Sequence, residues 1–262
     1  MSKVLCDVKD EVMWITLNRP DKLNALDYEM RSQLLNCLEE AERRNDVRIV
    51  VIRGSGKAFS AGADIYYIKD LAEGDHATTM RKLDEYGTQR IGMFIRSMSK
   101  PVIAVVHGYC LGGGFELIQY CDLVYATTDA IFGQPEINLG IIPGGGGTQM
   151  LTRLIGEKKA KELIFTGKRI SAEEAKELGI INEVFPPEKI DEEVSKIIAE
   201  LKSKSLYALA IAKRVINAAL ETTLSAGLVI EKQAYLDALR SEDGKEGIRA
   251  FLEKRKPEWK HR

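Results

Sequence analysis

Residues 48–53 read R-I-V-V-I-R and residues 102–106 read V-I-A-V-V. A strand with one wet face alternates apolar and polar side chains. Runs this continuous need cover on both faces, as in a parallel sheet between helices. An earlier β-rich run, E-V-M-W-I-T-L at 11–17, stops at the turn-forming N-R-P-D of 18–21. Asp27 then stands where an N-cap belongs, ahead of Met30, Leu34, Leu35, Leu38 and Ala41 at helical spacing. Strand, helix, strand predicts right-handed crossover units and an α/β architecture. With 262 residues the chain can bury a sizeable core, as one large domain or a domain with an appendage.

The apolar run at 102–106 leads through a turn into Gly112, Gly113 and Gly114, and an amphipathic helix begins there with Glu116 in its first turn. Twenty positions later Glu136 stands in a Gly/Pro-rich loop. Glycine lets the backbone approach a ligand, and a helix start leaves N–H groups without intrahelical acceptors. Such donors can hold an oxyanion that forms during reaction. A lone G-G-G serves tight helix–strand packing just as readily, and the small residues Ala61, Gly62 and Ala63, taken alone, read as an ordinary strand-to-helix connection. The G-G-G-G-T of 144–148 invites a phosphate-loop reading, but it lacks the lysine and the glycine spacing of that motif.

A formal net charge of −1 implies no general affinity for polyanions. Cys6, Cys37, Cys110 and Cys121 form no C-x-x-C pair and read as buried thiols of a reducing compartment. His76, His107 and His261 are too scattered to suggest a metal site. No leader pattern or long uncharged apolar run is present, which predicts a soluble, cytoplasmic protein with no membrane or nucleic-acid partner.

Residues 66–98 look less regular, with a helix expected from about 84 to 98. A helix over 151–166 is broken at Gly156. Ser171 and Glu174 have capping-box spacing, Gly179 supplies a stop, and 180–185 reads as a strand. Helices are expected at 188–202, 205–220, 225–241 and 244–254. The absence of strand signals there divides the chain into a core of 1–190 and a helical region of 191–262, whose surplus apolar surface predicts oligomer contacts.

Taken together, G-Y-C-L-G-G-G-F-E-L, C-D, F-G-Q-P-E and G-I-I-P-G-G-G-G-T-Q resemble the crotonase (enoyl-CoA hydratase/isomerase) superfamily, and the two glutamates look like those of an enoyl-CoA hydratase. The resemblance implies a crotonase-like spiral of ββα units with a C-terminal helical subdomain that builds trimers, commonly paired into hexamers. It implies Glu116 and Glu136 as the acid–base pair, with Glu116 favoured as base and Glu136 as acid but the division open to sharing, and an oxyanion hole from the backbone of Ala63 and Gly113. Gly144 would orient the water, with support from Gln134. Coenzyme A, arriving as part of an acyl-CoA substrate and not as a cofactor, would meet Lys22, Leu23, Ala61, Ala63, Asp64 and Ile65. Phe251 and Lys254 would often serve a neighbouring subunit. Tyr66, Tyr67, Ile68 and Phe115 would shape the acyl pocket, although Tyr66 and Tyr67 read equally well as surface tyrosines.

The expected reaction is hydration of short or medium trans-2-enoyl-CoA, or dehydration of a small 3-hydroxyacyl-CoA at the same site. A double-bond isomerase manages with one carboxylate. An RNA-binding role draws little support from the near-zero charge and the lack of interleaved basic and aromatic residues.

Overall fold

The computed structural model describes residues 2–261. In the larger of two sheets, β1 (Val4–Lys9) and β2 (Val12–Leu17) pair antiparallel. The sheet continues in parallel through β3 (Ile49–Gly54), β5 (Val102–Val106), β7 (Leu123–Thr127) and β10 (Glu183–Phe185). The smaller sheet has the order β4 (Ala58–Ser60), β6 (Tyr109–Leu111), β8 (Ile131–Gly133) and β9 (Arg169–Ser171), with only β9 antiparallel to its neighbour. Three times the chain lays one strand in the larger sheet and the next in the smaller: β3 then β4, β5 then β6, β7 then β8. This is the expected ββα spiral.

Both faces of the larger sheet are covered, as its continuous apolar strands require. Val50 and Ile52 of β3 join a cluster with Met30, Leu34 and Leu38 of α1 (Tyr28–Arg43). Ile49 and Val51 point the other way, to Ile190, Val194 and Ile198 of α9 (Ile190–Lys202). The boundary proposed at 190/191 thus falls at the start of a helix that closes the sheet. Asp27 caps α1, accepting the Met30 N–H at 2.9 Å, an interaction typically worth about 1 kcal/mol. Ser171 and Glu174 form the expected capping box.

Two expectations are corrected. Residues 66–98 are regular: α2 (Ile65–Glu73), α3 (His76–Tyr86) and α4 (Thr88–Ser97) follow one another, the first two opened by Asp64 and Asp75 as N-caps. Their capping aspartates and short apolar stripes are local signals masked by polar composition. Nor are the cysteines four buried thiols. Cys6 lies exposed on β1 and forms a disulfide with Cys37 of α1, their Cα atoms 6.4 Å apart, while Cys110 and Cys121 are free. Thirty-one positions of sequence hide a neighbourhood that the packing of α1 on β1 creates.

Helices α6 (Gly147–Ile155) and α7 (Glu157–Thr166) lie between β8 and β9, α8 (Ala172–Glu177) lies between β9 and β10, and beyond α9 follow α10 (Leu206–Ala219), α11 (Leu224–Arg240) and α12 (Glu242–Leu252). Among the described residues no helix is long and apolar enough to cross a membrane.

Candidate active site

Helix α5 (Gly113–Ile118) starts where the chain leaves β6, and its first turn brings Glu116 into the interior. Gly112 turns the corner with φ 49°, a left-handed value suited to glycine, and a methyl group there would stand 3.0 Å from Glu136 Oε1. Glu136 itself lies in the 3₁₀ turn Pro135–Leu139 that follows β8. Strand order does the joining: β6 and β8 are parallel neighbours, so the segments after their C-terminal ends open into the same space.

That space is a cavity of about 280 Å³. Its walls include Glu116, Glu136, Ala63, Gly113, Gly144, Tyr67 and Ile68, all expected from the sequence. A larger groove of about 860 Å³, on the far side of the sheet against α9, holds neither glutamate.

The two carboxyl groups are held differently. Glu116 Oε1 accepts backbone N–H groups from Gly145 at 2.7 Å and Gly147 at 2.9 Å. The glycine-rich loop therefore grips a carboxylate, and among the described residues no donor reaches Oε2. Burial pushes the Glu116 carboxyl above the usual range, while the two amides and the Arg31 charge pull it back. Glu136 Oε1 accepts from Gln134 Nε2 at 3.0 Å, whereas its Oε2 is buried with no partner. Burial first, and the nearby Glu116 charge second, push Glu136 up to about 7. Both carboxyl groups are thus raised, and the charge of one opposes ionisation of the other.

Two backbone donors face the same cavity. Ala63 is tied down on either side by Leu26 N–H to Gly62 O at 2.8 Å and Asp64 N–H to Leu26 O at 3.1 Å. Its own N–H finds no acceptor among the described residues, and the Gly113 N–H, first in its helix, finds none either. A methyl group on Gly113 would lie 3.4 Å from Ala63 N, and one on Gly62 3.1 Å from Gly113 N. Donors fifty residues apart in sequence therefore converge, and a polarised carbonyl oxygen placed between them would accept from both.

The other expected residues sort plainly. Ala61 N–H donates to Leu23 O at 2.8 Å, which sets the Lys22–Leu23 turn beside the segment running to Ile65. Lys22 and Ile65 are exposed there. The Asp64 side chain is committed to the fold: it caps α2 and pairs with Arg19 at 3.0 Å. Phe251 and Lys254 lie at the end of α12 and line no part of this chain's cavity, Phe251 being 83% exposed. Two acyl-pocket assignments are corrected. Phe115 points away from Glu116 into the core, 5.7 Å between ring centroids from Phe132, since adjacent helical residues face different directions. Tyr66 is 78% exposed and outside the cavity, whereas Tyr67, its neighbour on α2, turns inward.

Arg31 and Thr88 were not anticipated. Both line the cavity, and Arg31 Nη1 donates to Thr88 Oγ1 at 2.7 Å. Arg31 lies three and four positions before Leu34 and Leu35, within the buried stripe of α1, and a charge at such a position was the available signal. Among the described residues no three His, Cys, Asp or Glu side chains converge as a metal site.

The sequence pattern of enoyl-CoA hydratase/isomerase matches residues 7–262. The mitochondrial enoyl-CoA hydratase of Pongo abelii is 42% identical over 247 residues, spanning 94% of this chain and 82% of that protein. A solved structure of enoyl-CoA hydratase from Bacillus anthracis superposes with a TM-score of 0.90 at 36% identity, covering 99% of this chain and all of that one. The enoyl-CoA hydratase of Thermoplasma volcanium GSS1 gives 0.88 at 34% identity, covering 96% and 98% of the two chains.

Proposed function

This chain belongs to the enoyl-CoA hydratase/isomerase family, and from its site we propose that it hydrates short- or medium-chain trans-2-enoyl-CoA thioesters. The observation that carries this reading is the pair of differently held glutamates in one cavity with two unpaired backbone N–H groups. An isomerase, which only moves a proton, needs one carboxylate.

In the proposed reaction the thioester oxygen lies between the N–H groups of Ala63 and Gly113. Charge that develops on it as the enolate forms is stabilised there; one such donor is typically worth roughly 3–4 kcal/mol. Glu116, fixed through Oε1 and ionised, takes a proton from water through Oε2, and the oxygen attacks C3. Glu136 in its protonated form delivers a proton to C2. Water is consumed, one C–O and one C–H bond form, and the proton gained by Glu116 balances the one lost by Glu136. Gly144, in the cavity wall, and Gln134, on Glu136, support the water and the acid. Coenzyme A enters along Lys22, Leu23 and the 61–65 segment, as part of the substrate. The same groups run the reverse dehydration, because both directions share one transition state.

Ultraviolet absorbance of crotonyl-CoA tests the proposal, with the product checked by mass for the gain of one water. The wild-type protein is expected to consume the conjugated enoyl group, and Glu116→Gln and Glu136→Gln each to slow it by roughly 100- to 10,000-fold. A product of unchanged mass with a shifted double bond would establish isomerisation instead.

A further inference from the structure

We propose that Arg31 selects the tail of the acyl group, and that the cavity takes short 2-enoyl thioesters ending in a carboxylate. This deepens the hydratase reading and rests on it. Arg31 is 3% exposed, and three of its contacts fix the guanidinium: Nε donates to Leu26 O at 3.2 Å, and Nη1 to Thr88 Oγ1 at 2.7 Å and Tyr86 O at 3.3 Å. The Tyr67 ring packs against its plane, 4.5 Å from centroid to Cζ. Nη2 is left over. It makes no hydrogen bond among the described residues, yet it is not one of the fully enclosed unpartnered atoms, so its N–H edge opens into the cavity that Arg31 lines.

This group has no close counter-ion, as is true of the buried Lys100, but the Lys100 ammonium is satisfied by the Ala41 and Arg44 carbonyls whereas Arg31 Nη2 has no acceptor among the described residues. The well-covered cations Arg19, Arg96 and Lys213 each meet a carboxylate at 2.7–3.0 Å. Among the described residues Arg31 has no such contact. Glu116 acts on it only through space, and its Oε1 is already committed to the glycine loop. Of the other groups around it, Glu136 is raised to about 7, Tyr67 and Thr88 are uncharged, and Asp27, which also acts on Arg31 through space, is paired with Lys3 and Arg19. A fixed, desolvated guanidinium with one open edge has little to offer a hydrocarbon tail and much to offer an anionic acceptor. The tail must be short. A methyl group on Gly113 would stand 3.6 Å from Nη2 and 3.4 Å from Ala63 N, so the guanidinium borders the same end of the cavity as the carbonyl-binding donors. Ile68, Leu71 and Leu83 line the path and leave the anion no other cation in the wall.

The test compares kcat/KM for methyl-ended and carboxylate-ended trans-2-enoyl-CoA of matched short length, in wild type, Arg31→Met and Arg31→Lys. Wild type is expected to prefer the carboxylate-ended member, and Arg31→Met to lower the ratio of the two by roughly 10- to 100-fold. Arg31→Lys, which keeps the charge but not the planar fork, should restore part of that ratio. Equal loss on both substrates would mark Arg31 as a structural or general electrostatic residue and overturn the proposal. Should Arg31→Met not fold, the wild-type ratio decides: a preference for the methyl-ended series, or none, overturns it. Hydration of methyl-ended substrates without selectivity removes this inference alone. No hydration of any substrate removes the hydratase reading, and this one with it.

Discussion

Glu136 holds its proton because burial strips water from the carboxylate and the Glu116 charge opposes a second ionisation. This has a cost in stability with a definite sign. The folded-state value of about 7 lies above the ordinary 4.5, so between these pH values the folded protein binds more protons than the unfolded chain. Stability therefore falls as pH rises through that window, by at most ~3 kcal/mol for this group and less once solvent contact is counted. Replacing Glu136 by Gln removes the titration. In urea unfolding the variant is expected to exceed wild type by about 1–2 kcal/mol near pH 8 and to lose that advantage as pH falls toward the unfolded value. An equal difference at both pH values would show that Glu136 is not buried in the way described.

At the scale of the element, the start of α5 separates function from folding within two adjacent glycines. A methyl group on Gly113 meets only ordinary contacts at 3.4–3.6 Å, but it fills the space in front of Ala63 N. Gly113→Ala should fold with nearly wild-type stability and lose roughly 100-fold or more of its hydration rate, the usual cost of spoiling an oxyanion donor. A methyl on Gly114 would stand 2.7 Å from Ser60 Cβ and 2.8 Å from Ser60 O, so Gly114→Ala should destabilise by about 1–3 kcal/mol. Thermal unfolding and crotonyl-CoA turnover, measured on both, check the contrast. The G-G-G was legible as a close-approach motif, but which glycine faced a ligand and which faced β4 was not. That assignment depends on the neighbouring strand, not on the three residues.

For the whole molecule, the C-terminal helices leave apolar surface uncovered. α11 buries only Ala234, while Leu224, Val229 and Tyr235 on it are 80%, 69% and 63% exposed. Such a face covers itself most simply with further copies of the chain. We expect a homo-oligomer, trimer or hexamer, in which Phe251 and Lys254 are carried toward another copy's coenzyme. Sedimentation of wild type against Leu224→Glu with Val229→Glu should show a discrete assembly reduced to smaller species. A monomeric wild type would refute it. What the sequence determined by itself is everything encoded between near neighbours. The continuous strands, the Asp27 and Ser171 caps, the α6/α7 break at Gly156 and the C-terminal helices all follow from propensities and periodicities that act over a few residues. Only the tertiary structure decided the rest. It brought the Ala63 and Gly113 amides together, set the Gly145 and Gly147 amides on Glu116, turned Arg31 into the cavity and Phe115 away from it, and joined Cys6 to Cys37. The direction of a side chain and the meeting of distant donors depend on how sheets and helices stack, and burial, which sets the glutamates' protons, exists only once they have.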